Sequence, residues 1–128
     1  MNQALGLIVD DEADIRELLE ITLSRMGVRS EAAASVAEAK AQLSRHSFSL
    51  CITDMRLPDG SGLDIIGHIQ RHSPQTPVAV ITAYGNAEAA VESLKAGAFD
   101  FVSKPVDLAT VRKLVDAALK LGSPPSPP

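Results

Sequence analysis

The chain has 128 residues, 45% of them apolar, yet only three phenylalanines, one tyrosine and no tryptophan, which suits one domain of aliphatic helices packed on a sheet and leaves no room for two of ordinary size. A formal net charge of −4 excludes a general attraction to nucleic acid or to an anionic membrane surface, so any contact with DNA would have to come from another domain. No window reaches the roughly 18 apolar residues of a membrane span and no basic-then-apolar leader is seen, so a cytoplasmic protein that does not enter a membrane is expected.

The first apolar run, ALGLIV (4–9), has strand length and ends on Asp10 and Asp11. Ile15, Leu18, Leu19, Thr22, Leu23 and Met26 then share one face at helical period, with Asp14 and Glu17 spaced like a capping box and Gly27 at the expected stop. RSEAA (29–33) is a weaker strand, and SVAE (35–38) opens a second helix. The third strand, SLCIT (49–53), carries the lone Cys51 as a small core residue, ends on Asp54 and runs into the turn LPDGSG. A third helix is expected over Leu63 to His72, and a fourth strand, PVAVIT (77–82), ends on Thr82. A fourth helix spans Asn86 to Ala96 with Gly97 as its end, and AFDFV (98–102) forms the fifth strand ahead of Lys104 and Pro105. The fifth helix, Leu108 to Leu121, starts near Asp107 and turns Leu108, Val111, Leu114, Val115 and Ala118 inward.

Five successive β-then-α units imply a parallel sheet, because each crossover needs a helix to bring the chain back. The fold expected is a single-domain, flavodoxin-like (βα)5 structure: a doubly wound five-stranded parallel sheet of order 2-1-3-4-5 over residues 1–121. GSPPSPP (122–128) can neither continue a helix nor pair in a sheet, and reads as a linker or tail.

In such a sheet ligands bind beyond the carboxyl ends of the strands, where the strand order reverses. Strands one and three are neighbours there, so Asp10, Asp11 and Asp54 would meet in one shallow cleft. Two unit charges about 4 Å apart repel by roughly 4 kcal/mol at an effective dielectric near 20. Protons or a metal must relieve them, and an all-oxygen donor set suits Mg²⁺ better than Zn²⁺. Thr82 ends the fourth strand and Lys104 follows the fifth, and a hydroxyl with an ammonium beside a carboxylate cluster would hold an anion. A cis bond to Pro105 would turn the lysine toward the cleft.

LIVDDE, ITDMRLPDGSG, VITAYG and GAFDFVSKP, in order over residues 5–121, resemble the successive signatures of bacterial response-regulator receiver domains. ITAYG through KAGAFDFVSKPVD is most similar to receivers of the nitrogen-regulator class, which precede an ATPase that activates sigma-54 transcription and a helix-turn-helix DNA-binding domain. The resemblance implies a phosphoacceptor switch, not a turnover enzyme. Asp54 would take a phosphoryl group from a sensor histidine kinase. Asp11, Asp54 and the backbone carbonyl of Arg56 would bind Mg²⁺, with Asp10 acting through water, and Lys104 and Thr82 would hold the phosphoryl oxygens. Thr82 would move inward on phosphorylation and Phe101, where the family usually has Tyr, would follow it. Arg56 and Tyr84 would gate the attacking water, and helix four, strand five and helix five would form a receiver homodimer.

One alternative is a small Mg²⁺-dependent aspartyl-phosphate hydrolase; Arg56 stands where such enzymes of the haloacid-dehalogenase type need a second acid, and no cap domain is present. Another is a receiver-like interaction module that is no longer phosphorylated, which would be expected to lack an acid or the lysine. A nucleotide-binding flavodoxin-like domain fits less well, because DGSG does not follow the first strand. His46, His68 and His72 are read as solvent-facing, without metal spacing.

Overall fold

The computed structural model describes residues 4–122; the expected linker lies outside them, apart from its first residue. In chain order the elements are β1 (Leu5–Val9), α1 (Ala13–Arg25), β2 (Arg29–Ala33), α2 (Val36–Arg45), β3 (Leu50–Thr53), β4 (Arg56–Leu57), β5 (Gly60–Ser61), α3 (Gly62–His72), β6 (Val78–Thr82), α4 (Ala87–Ala96), β7 (Asp100–Ser103) and α5 (Leu108–Gly122). Five strands pair in parallel in the order β2-β1-β3-β6-β7, which is the expected 2-1-3-4-5 once the β4-β5 ribbon is set aside. That antiparallel ribbon was not foreseen: strands of two residues are too short to show any periodicity.

Alternation along the strands divides the core in two. Leu7, Val9, Cys51, Val78 and Val80 pack against α2 and α3 through Ala39, Leu43, Ile65, Ile66 and Ile69. On the opposite face Ile8, Ile52, Ala79 and Ile81 lie under α1 and α5, against Leu19, Leu23, Val111, Leu114 and Val115. Covering both faces is what makes the central strands almost continuously apolar. Burial also pushes the Cys51 thiol up to about 12, so it stays an inert core group.

Helix starts follow local chemistry closely, with one correction. Ser35, Ser61 and Asn86 cap α2, α3 and α4, and at α3 the Asp64 carboxylate returns the bond to complete a capping box. At α1 the expected Asp14–Glu17 box does not form: the helix begins at Ala13 and Glu12 is its N-cap, without a side-chain cap bond. The Glu12 amide is instead satisfied by the Asp10 carboxylate at 2.9 Å, which starts the helix two residues earlier. Leu108, expected inside, is 42% exposed at the first turn of α5, while Val111, Leu114, Val115 and Ala118 are buried as expected.

Of the histidines, His46 and His72 are exposed as expected, and His68 needs correction. His68 and His72 stand one turn apart on α3 with ring centroids 4.4 Å apart, and His68 is half-buried. Burial, then the charges of His72, Lys40 and Arg71, hold His68 below the ordinary histidine value.

Ile66, on the core-facing side of α3, is fully buried. Ile66→Ala should lower unfolding free energy by about 2–5 kcal/mol in urea titration, a lost side chain plus a cavity. Leu94→Ala, on the 48% exposed face of α4, should change it by less than about 0.5 kcal/mol.

Candidate functional site

The site is assembled by the last rungs of the sheet. Beyond the paired strands, the amide of Asp10 donates to the Ala33 carbonyl (3.1 Å), that of Asp54 to Val9 (2.8 Å) and that of Lys104 to Thr82 (2.8 Å). Three chemically important residues thus have backbones fixed by neighbouring strands, and their side chains converge on one sheet edge.

The loop after β3 is held just as firmly, and this accounts for the sequence LPDGSG. The Asp59 carboxylate accepts from the amides of Val36 (2.7 Å) and Ala37 (3.0 Å), so the turn caps α2; these bonds hold Asp59 below the usual carboxylate range. Gly62 donates to the Met55 carbonyl (2.8 Å), and a Cβ at Gly62 would strike the carbonyl oxygen of Asp54. Only glycine lets α3 begin this close to the acid.

At the centre lies Lys104. Its ammonium donates to Asp10 Oδ2 at 2.8 Å, Asp54 Oδ2 at 3.1 Å and Glu12 Oε1 at 3.1 Å. The Lys104–Pro105 bond is cis, as expected. Asp54 Oδ1 accepts from the Met55 amide (2.6 Å) and, more loosely, from that of Arg56 (3.4 Å). Arg16 adds a bond from its guanidinium to the Asp10 carbonyl, 2.7 Å. Asp10 and Asp54 are buried, whereas Asp11 and Glu12 are exposed. Burial pushes the Asp10 carboxyl above its ordinary value, only partly offset by the bonds from Lys104 and the Glu12 amide. Burial alone would lower Lys104; the carboxylates of Asp10, Asp54 and Glu12 outweigh it and raise the ammonium above the ordinary lysine range.

Oxygens of Asp10, Asp11, Glu12 and Asp54 lie within 4.8 Å of one another. Four carboxylates against the one Lys104 ammonium leave a formal charge of −3, and an all-carboxylate donor set fits a hard divalent cation. Of the residues singled out from sequence, Asp10, Asp11, Asp54 and Lys104 meet here. Glu12 joins them unforeseen, although it directly follows the two aspartates in LIVDDE.

The remaining candidates ring the cluster. Thr82 is fully buried, and its hydroxyl accepts from the Tyr84 amide at 3.1 Å. The Arg56 guanidinium lies 4.0 Å over the exposed Tyr84 ring, bridging the loops after β3 and β6. Phe101 is half-buried against the core on the α2 and α3 face.

A family model for the response regulator receiver domain matches residues 7–116, and the chain belongs to that family. It is the receiver domain of a two-component response regulator. It is 60% identical over 124 residues to the response regulator protein PilR of Pseudomonas aeruginosa, covering 97% of this chain and 28% of that protein. To the DNA-binding transcriptional regulator NtrC of Klebsiella pneumoniae it is 33% identical, covering 93% of this chain and 25% of the relative. The beryllofluoride-activated NtrC4 receiver domain dimer superposes with a TM-score of 0.88 at 31% identity, over 93% of this chain and 98% of that one. The chain therefore spans about a quarter of the length of these curated relatives.

Lys104→Ala should destabilise the metal-free domain at neutral pH by about 3 kcal/mol, because it leaves two buried carboxylates without their counter-charge. Asp10, whose folded value is raised, favours the fold below its ordinary value, and that contribution is lost as pH rises through the folded value. The deficit should therefore shrink on acidification as the variant's Asp10 takes up a proton, which paired thermal melts at pH 7 and pH 5 would measure.

Proposed function

We propose that this domain is a phosphoacceptor switch in which Asp54 receives a phosphoryl group from a sensor histidine kinase in a Mg²⁺-dependent transfer. The observation that carries the reading is the meeting of Asp54, Lys104 and the acid cluster at one sheet edge. Asp10, Asp11, Asp54 and the Arg56 carbonyl would hold the ion, with Glu12 at its margin. When bound, Mg²⁺ neutralises charge that develops on the oxygens of the transferring phosphoryl group.

The chain's own residues supply the rest. Asp54 Oδ1 is oriented by the Met55 and Arg56 amides, leaving Oδ2, now on Lys104, free to attack once the lysine turns to the incoming phosphoryl oxygens. The carboxylate oxygen would form the new bond to phosphorus as the bond to the kinase imidazole breaks; a phosphoimidazole already protonated on its other ring nitrogen keeps the electron pair of the broken bond and is released as neutral imidazole. Thr82 can exchange its bond from the Tyr84 amide for a phosphoryl oxygen, drawing in the loop after β6, with Phe101 following on β7.

The output surface in this reading is α4, β7 and α5. Val91, Leu94 and Leu108 are exposed there, and the likeness to an activated receiver dimer supports pairing of two copies through it. The domain would occupy residues 1–121 of a cytoplasmic regulator whose ATPase and DNA-binding parts activate sigma-54 transcription. The similarity to PilR and NtrC supports that class, with regulation of type IV pili as its specific form.

Acetyl phosphate with Mg²⁺ should add one phosphoryl group per chain by intact mass, and Asp54→Asn should abolish it. Labelling that persists in Asp54→Asn, or multiple turnover of a small phosphate ester, would overturn the reading. Beryllofluoride should convert the monomer to a dimer in sedimentation; an unchanged monomer would remove the proposed pairing.

Arg56 stacks on Tyr84, and in this reading the two large side chains gate the attacking water and should slow hydrolysis of the phosphorylated domain. If their cation–π contact, worth about 0.5–1 kcal/mol, holds the gate shut, Tyr84→Ala should lose phosphate about two- to fivefold faster. The decay of labelled protein after desalting measures this.

A further inference from the structure

We infer that His68 and His72 form a second metal site on α3, a two-imidazole chelate for a divalent transition-metal ion of the Cu²⁺, Ni²⁺ or Zn²⁺ kind. Residues four apart on a helix project from the same face one turn above each other. Here the rings have already closed to 4.4 Å between centroids, tilted by 42°. Among the described residues, neither imidazole is engaged in a hydrogen bond or ion pair, so their nitrogens need not exchange a protein partner for a metal. His72 is exposed and His68 half-buried, so an ion can enter from solvent while one ligand is held by its surroundings.

The chemistry separates this site from the acid cluster. Imidazole nitrogen suits Zn²⁺, Ni²⁺ and Cu²⁺, whereas carboxylate oxygen suits Mg²⁺. Six residue steps separate Gly62, which abuts Asp54, from His68 and ten separate it from His72, about 9 and 15 Å along the helix at its ordinary rise. Lys40 and Arg71 are close enough for His68 to feel their charges. They oppose a bare cation and favour an anionic ligand, such as chloride or a carboxylate, in the coordination positions that two histidines leave open. Both protein ligands sit on one rigid element, so binding by the second is intramolecular once the first has engaged.

The test uses the 128-residue protein in excess Mg²⁺, which occupies the carboxylates, with CuCl₂ or ZnCl₂ added. Substoichiometric Cu²⁺, being paramagnetic, should broaden amide resonances in the second half of α3 before those of residues 10–12 and 54. Zn²⁺ should raise the thermal midpoint. His68→Ala and His72→Ala should each weaken binding by roughly a hundredfold, the loss expected when one arm of a chelate is removed. His46→Ala, whose ring packs edge-on against Phe48, should leave it unchanged. Equal metal-free melting of parent and variants would show that the fold is intact. Zn²⁺ or Cu²⁺ binding that survives the double variant, first broadening around Asp54, or no binding at all would each overturn the assignment.

Discussion

The ammonium of Lys104 makes the rest of the site possible. Two carboxylates, Asp10 and Asp54, are removed from water at the ends of adjacent strands, and the lysine reaches both from β7, two strands beyond β3. Moving such charges into the interior is costly and is offset only by close pairing and filled hydrogen-bonding positions. Both requirements are met, since each carboxylate also accepts from a backbone amide. Yet Lys104, even with the Arg16 guanidinium on the Asp10 carbonyl, cannot balance four acids. The arrangement is stable enough to persist and charged enough to recruit a further positive ion, and a lysine held only by ionic contacts can be redirected to an anion.

Parallel pairing converts this charge balance into precise placement. The register sets Val9 beside Thr53 on adjacent strands and Thr82 beside Ser103 on another pair. The residues following those strands therefore emerge at one edge. The adjoining loop is restrained at both ends, by Asp59 on α2 and by the close approach of Gly62. In the proposed phosphoryl transfer, such rigid elements and short, tethered loops would place the carboxylate well, because effective concentration is lost with small displacements.

Much of this was legible in the sequence because it depends on strand ends. Apolar runs locate the strands, and the polar residue closing each run, Asp10, Asp54 or Thr82, is then a candidate by position alone; Lys104 stands just past its strand. Parallel topology brings such ends together whatever their separation in the chain. Less was legible where a choice depends on competition between local bonds. Asp14 and Glu17 have the spacing of a cap, but the Asp10 side chain takes the helix-starting amide and leaves Glu12 beside Lys104. Leu108 continues an apolar stripe, but at the first residue of α5 the core no longer reaches it. The pairing of His68 with His72 was present in the helical spacing and became plain only once α3 was seen to present both on one face.

The same reasoning distinguishes α4 from the other helices. α2 and α3 each bury several side chains, whereas Ser93 is the one fully buried residue of α4. Its hydroxyl donates to the Met55 sulfur at 3.7 Å, and Met55 is the residue whose amide holds Asp54 Oδ1. Elements with few buried contacts open or shift at the lowest free-energy cost. The helix least anchored to the core is thus fastened through the residue next to the acid. In the proposed switch, a change in what Asp54 requires of its neighbouring amides would fall first on this element, which carries the exposed Val91 and Leu94.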